Sequence, residues 1–152
     1  DQRIIFVSVG GTEADIAHYQ NLARSMNLDT RVTLLPKVVQ PKVALYQKAF
    51  DVLLMPFPKN EHYAYFMSPL KMFEYMASGR PIVTSDLPSI REVLDEESAV
   101  FVEAGNPESL AKGIEKILGD PNLSQSISTN ARKKVQEFTW QNRARNILGF
   151  GV

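Results

Sequence analysis

Five short apolar runs, at residues 4–9, 31–35, 51–56, 81–85 and 99–103, alternate along the chain with stretches patterned as helices. Runs of this length, rich in Ile, Val and Leu and bounded by glycine, proline or polar turns, read as strands buried on both faces. A strand followed by a helix and then another strand predicts parallel pairing, because the crossover brings the chain back to the same edge of the sheet. The expected fold class is therefore α/β, with a doubly wound, mostly parallel, Rossmann-like sheet. Such sheets bind ligands at the carboxyl ends of their strands, so the residues after each run are the first to inspect.

The helix signals support that order. Thr12 with Asp15 three residues on makes a capping box, followed by Ile16, Tyr19, Ala23 and Met26 at helical spacing to about residue 27. Pro41 opens a second helix that carries Val43, Tyr46, Ala49 and Phe50. A short helix is expected over 90–94. Asn106-Pro107-Glu108 is a cap, a first-turn proline and an acidic first turn, ahead of Leu110, Ile114, Ile117 and Leu118. Asp120-Pro121 repeats the device for a mostly polar helix to about residue 138, whose Arg132-Lys133-Lys134 reads as solvation. Thr139 can cap a last helix over 140–148.

Residues 68–86 are the richest stretch. Ser68 is a candidate N-cap, Pro69 suits the first helical position, and Gly79 suits a left-handed stop, which predicts a helix over 69–78. At helical spacing Leu70, Phe73 and Ala77 share one side, expected to be core, and Lys71, Glu74 and Ser78 share a polar side. Lys71 and the first-turn N–H groups lie at the positive end of the helix dipole, where an anion is stabilised. Glu74 lies about 7.5 Å further along the axis from Pro69. A diphosphate at the helix start and a ribose diol at Glu74 fit that separation; a solvated amphipathic helix fits the same spacing.

At these residues a family resemblance enters. Ser-Pro-Leu-Lys-Met-Phe-Glu-Tyr-Met-Ala-Ser-Gly-Arg-Pro-Ile-Val, from Ser68, resembles the nucleotide-sugar-binding segment in the C-terminal domain of family 4 (group 1) GT-B glycosyltransferases. The likeness continues through Ser89-Ile-Arg-Glu-Val-Leu, Phe101-Val-Glu-Ala-Gly-Asn-Pro-Glu-Ser-Leu and Asn130-Ala-Arg-Lys-Lys-Val-Gln-Glu-Phe-Thr-Trp. It implies a retaining, metal-independent transferase with no cofactor, moving a sugar from a nucleotide diphosphate donor to a glycan or lipid-linked acceptor. Lys71 and Glu74 would be its catalytic residues, and Gly10, Gly11, Lys37, Val38, Ser68, Pro69 and Leu70 would join them in binding the donor. Residues 1–138 would form the donor-binding domain. Residues 139–152 would cross back to an N-terminal acceptor domain of the same protein, leaving Trp140 and Phe150 partly exposed when that partner is absent.

The other readings stay open at several positions. Gly10-Gly11 can approach a phosphate or an acceptor sugar, or simply make a tight turn, and Lys37-Val38 can contact the base or form an ordinary loop. The aromatic stretch 57–67 reads as a binding loop or lid, or as Tyr63, Tyr65 and Phe66 packing on the core. His62 has no partner at metal-ligand spacing and reads as a surface residue. Two departures from the family stand out. Many members carry a first glutamate eight positions before the one matching Glu74, but that position is Phe66, with Glu61 near it and out of register. The family's first strand and helix, with the Arg and Lys that hold the diphosphate, are also missing, and Arg3 and Arg31 do not replace that pair. A non-catalytic module derived from the same fold is thus the alternative, with a nucleotide-sugar epimerase third.

Composition narrows the field. Lys plus Arg equals Asp plus Glu at 17 each, which with no nucleic-acid motif argues against a polyanion partner. No cysteine means no disulfide, thiol nucleophile or zinc-thiolate site. Lacking a run long enough for a membrane span or a signal-peptide start, the chain is expected to be cytoplasmic, with peripheral contact at the inner membrane face an option for the whole protein.

Overall fold

The computed structural model describes residues 4–149; Arg3 and Phe150 lie outside that range. The chain divides into two compact units, Asp1–Leu45 and Tyr46–Val152.

In the first unit β1 (Phe6–Gly11) pairs in parallel with β2 (Val32–Pro36), with Phe6 opposite Val32 and Val9 opposite Leu35. Between them runs α1 (Glu13–Ser25), which packs against β2. Its capping box forms as the sequence predicts: Thr12 Oγ1 accepts from the Asp15 N–H at 3.2 Å, and the Asp15 carboxylate accepts from the Thr12 N–H at 3.2 Å and hydroxyl at 2.6 Å. Those bonds hold the Asp15 pKa below the usual carboxylate range. The guanidinium of Arg31 donates through Nε and Nη2 to the Ile4 carbonyl, both at 3.2 Å.

β1 departs from expectation. Its residues alternate between exposed and half-buried rather than being buried on both faces, with Phe6 46% exposed and the preceding Ile5 63%. Within this unit one partner strand and one helix cannot cover two faces. Ala23 is the one buried apolar side chain among the described residues of the unit.

The chain enters the second unit along α2 (Gln40–Ala49). There β3 (Leu53–Met55), β4 (Ile82–Ser85) and β5 (Val100–Val102) form a parallel sheet in that order, with β4 buried at every position. The first and last of these strands are shorter than their apolar runs. α3 (Glu61–Tyr65) and α4 (Leu70–Ser78) lie between β3 and β4, and α5 (Pro88–Arg91) lies between β4 and β5. After β5 come α6 (Pro107–Gly119), α7 (Pro121–Lys134), a 3₁₀ turn at Val135–Glu137 and α8 (Trp140–Gly149). Asn106 and Asp120 cap α6 and α7 as expected, and Thr139 Oγ1 accepts from the Asn142 N–H at 3.1 Å.

Two clusters hold this unit together. Met55, Met72, Met76, Ile82, Ile90 and Leu94 belong to one; Val83, Val100, Val102, Ile117 and Ile127 form the other. Ile82 and Val83 are neighbours on β4 and fall in different clusters, as side chains that alternate across a strand must. The β3-β4-β5 sheet is therefore covered on both faces.

Where the alternation predicts one continuous sheet, two parallel sheets are seen. α7 also stops sooner than the expected residue 138, and Lys134, read as solvated, pairs with Asp95 at 2.6 Å.

Candidate functional site

The start of α4 lies one residue later than expected. Pro69, not Ser68, is the N-cap, with φ −75° and ψ 120°, and no side chain caps the helix. A residue before proline is pushed out of the helical region, which leaves Ser68 outside the helix and exposed. The first-turn N–H groups therefore keep no side-chain cap. Gly79 ends the helix with φ 74°, the left-handed stop that its sequence position predicts.

The buried stripe of α4 also differs. Met72 and Met76 are the core residues, whereas Leu70 is 70% exposed and Ala77 is exposed. α4 packs against α7 and the 3₁₀ turn, and Met72 and Met76 join Met55, Ile82, Ile90, Leu94 and Ala131 in one buried cluster. Leu70 and half-buried Phe73 instead border an apolar cavity of about 380 Å³, with Phe138, Trp140 and Ile147 opposite them. Lys71 and Glu74 do not line that cavity.

Lys71 is half-buried, with its ammonium 4.4 Å from the centre of the Phe57 ring. Phe57 is in turn stacked on Tyr63, centroids 5.3 Å apart. The Ser85 hydroxyl donates to the Phe57 carbonyl at 2.8 Å, and that of Ser89 to the Tyr63 carbonyl at 2.7 Å. The residues under Lys71 are thus fastened to the end of β4 and to α5. Burial pushes the Lys71 pKa below the ordinary lysine value.

Glu74 lies one turn further along α4, half-buried, and accepts a hydrogen bond from Gln47 Nε2 at 3.0 Å. The neighbouring Tyr75 hydroxyl has its pKa raised, first by burial and then by the Glu74 charge.

The stretch 57–67 is neither all loop nor all core. Asn60 caps the short α3 by accepting from the Tyr63 N–H at 3.0 Å. Tyr63 packs on the core while Tyr65 and Phe66 are 65% and 72% exposed. Glu61 and His62 are exposed in the first turn of α3. Among the described residues no three His, Asp or Glu side chains gather in a group suited to a metal ion. No helix among them is long and apolar enough to cross a membrane.

Of the remaining candidates, Gly10 and Gly11 close β1, where Gly10 has φ 123°. Exposed Lys37 and half-buried Val38 lie between β2 and α2. These four belong to the first unit, and Ser68, Pro69, Leu70, Lys71 and Glu74 to the second. Sequence reasoning passed over Gln47, although a signal was present: it shares a helix face with Val43 and Phe50, four before and three after it. A polar residue on an apolar face needs a buried partner, and here that partner is Glu74.

The description "Glycosyl transferases group 1" matches residues 1–120 of this sequence. A D-inositol 3-phosphate glycosyltransferase of Corynebacterium diphtheriae is 31% identical over 150 residues, 97% of this chain and 34% of that protein. The chain thus spans about a third of the length of the curated relatives it matches. Among solved structures, sucrose-phosphate synthase from Thermosynechococcus elongatus superposes with a TM-score of 0.80 at 26% identity, covering 95% of this chain and 37% of that one. Anabaena HepE, solved in complex with UDP, superposes at 0.77 and 16% identity, covering 100% of this chain and 42% of that one. A family match over most of the chain, joined to a Rossmann-like, parallel α/β arrangement like that of GT-B enzymes, means that this chain belongs to the glycosyl transferases group 1 family.

Proposed function

We propose that the chain is the donor-binding part of a glycosyltransferase that moves a sugar from a nucleotide diphosphate to a glycan or lipid-linked acceptor, with retention and without a metal ion. The observation that carries this reading is the start of α4, where the first-turn N–H groups keep no side-chain cap and Lys71, a residue of that turn, holds its ammonium against the Phe57 ring. When the bond between the anomeric carbon and the diphosphate breaks, negative charge grows on the leaving group; a helix N-terminus and an ammonium fixed in advance stabilise it without reorganising. Glu74 would accept from the ribose hydroxyls and set the donor's orientation. By the family resemblance Gly10, Gly11, Lys37 and Val38 would be donor-binding residues as well, and α8 would cross to an acceptor domain. Resident cofactors play no part in this account.

Phe66 at the position of the family's first glutamate favours one second reading, a binding module without transfer chemistry. Calorimetric titration of the full-length protein with UDP, GDP and ADP, repeated on Glu74→Ala and Lys71→Ala, tests the first reading. Saturable binding of one nucleotide, weakened at least tenfold in each variant, is expected, because hydrogen bonds to charged groups contribute about 1.5–3 kcal/mol. No binding by a folded full-length protein would overturn it. Binding without sugar transfer to any acceptor would favour the module.

A further inference from the structure

Gln47 is the least exposed polar residue of α2, at 8%, and its amide nitrogen meets a glutamate on another helix. We propose that Gln47 is a positioning residue for the ribose: it fixes the rotamer of Glu74, so that the carboxylate is already oriented when a ribose arrives. This rests on the reading of Glu74 as the ribose ligand.

Three features carry it. An ionised carboxylate only accepts, so the nitrogen of the Gln47 amide, not its oxygen, must face Glu74. The bond joins residues 27 apart in sequence, which ties the end of α2 to α4. Finally, the donor is neutral. An arginine or lysine at this position would restrain Glu74 while adding an opposing charge of its own; a primary amide supplies the hydrogen bond without adding one. A carboxylate held in one geometry binds a diol without first losing its own rotational freedom.

The test is ribose discrimination, which a purely structural glutamine would not affect. Full-length protein is titrated with UDP, GDP and ADP and with their 2′-deoxy forms. The parent should prefer the ribonucleotide by about tenfold or more, the range set by a hydrogen bond to a charged group. Glu74→Ala should bring that ratio to about one. Gln47→Met, which keeps length and burial but removes the donor, should lower the ratio to about threefold or less by weakening the ribonucleotide, which offers Glu74 two hydroxyls, more than the 2′-deoxy form, which offers one. Gln47→His, whose Nε2–H reaches to a similar place, should restore it. If Glu74→Ala loses the ratio and Gln47→Met keeps it, the proposal falls and the ribose reading survives. If Glu74→Ala keeps the ratio, both fall. Should Gln47→Met not fold, the side-chain amide resonance of Gln47 in the parent decides: the ribonucleotide must move it further than the 2′-deoxy form, and equal shifts overturn the proposal.

Discussion

At the scale of single residues, Lys71 holds two demands in tension. Burial lowers its pKa, while an ammonium 4.4 Å above the Phe57 ring gains about 0.5–2 kcal/mol from the ring's negative face. A lysine whose folded pKa is depressed holds its proton less tightly folded than unfolded, so folding becomes more favourable as pH rises through that window. A bound diphosphate reverses the sign, because it needs the charged form. Nucleoside diphosphate affinity should therefore fall as pH rises through the lowered pKa, sooner than an ordinary lysine would allow. Lys71→Arg should hold the affinity flat across the same range, since a guanidinium stays charged there. Titrations over a neutral-to-alkaline series check this; parallel pH profiles for parent and Lys71→Arg would remove Lys71 from the phosphate site.

At the scale of elements, α6 gives a test with its own control. A Cβ added at Gly113 would come within 2.5 Å of Val102 Cγ1 and 3.0 Å of Val83 Cγ1, and β-branched side chains in strands have little freedom to turn aside. Gly113→Ala gains about 1 kcal/mol of helix propensity but overpacks the core by about 1–3 kcal/mol, so a lower urea midpoint is expected. At Gly119, on the same helix, nothing lies within 4 Å, and Gly119→Ala should be neutral or add up to about 1 kcal/mol of stability, read as an unchanged or higher midpoint. Equal shifts in the two variants would mean that Gly113 is not held against Val83 and Val102.

The same elements show what the sequence makes legible. Asn106-Pro107, Asp120-Pro121, Thr139 and the Thr12–Asp15 box mark their helix starts correctly, because a cap is a local arrangement that needs no tertiary partner. The polar side of α4, with Lys71 and Glu74, is legible for the same reason. Its buried stripe is not: Met72 and Met76, rather than Leu70 and Ala77, enter the core cluster, and which face a helix buries depends on where its neighbours lie. Gln47 escapes because its role exists only once α2 and α4 are brought together. β1 reads as a fully buried strand from its composition, yet burial belongs to the whole assembly and not to the run of residues.

At the scale of the whole molecule, the distribution of buried side chains predicts unequal stability. Among the described residues, fifteen of the sixteen buried hydrophobic ones lie after residue 45, and Ala23 is the exception. The first unit instead leaves Ile5, Phe6, Tyr19, Leu22 and Met26 between 46% and 63% exposed. Hydrophobic burial is the main term opposing chain entropy, at about 25 cal/mol per Å² of apolar surface, so the β1–β2 ladder has little to resist local opening. Native-state hydrogen exchange on this chain should find the β1 and β2 amides opening in a separate, cheaper event, while β4 amides, in a strand buried at every position, exchange only with global unfolding. Denaturant should raise the β4 exchange steeply and that of β1 weakly, since a small opening exposes little surface. Equal protection and equal denaturant dependence in β1 and β4 would show one cooperative body, and would mean that the exposed side chains of the first unit do not measure its stability.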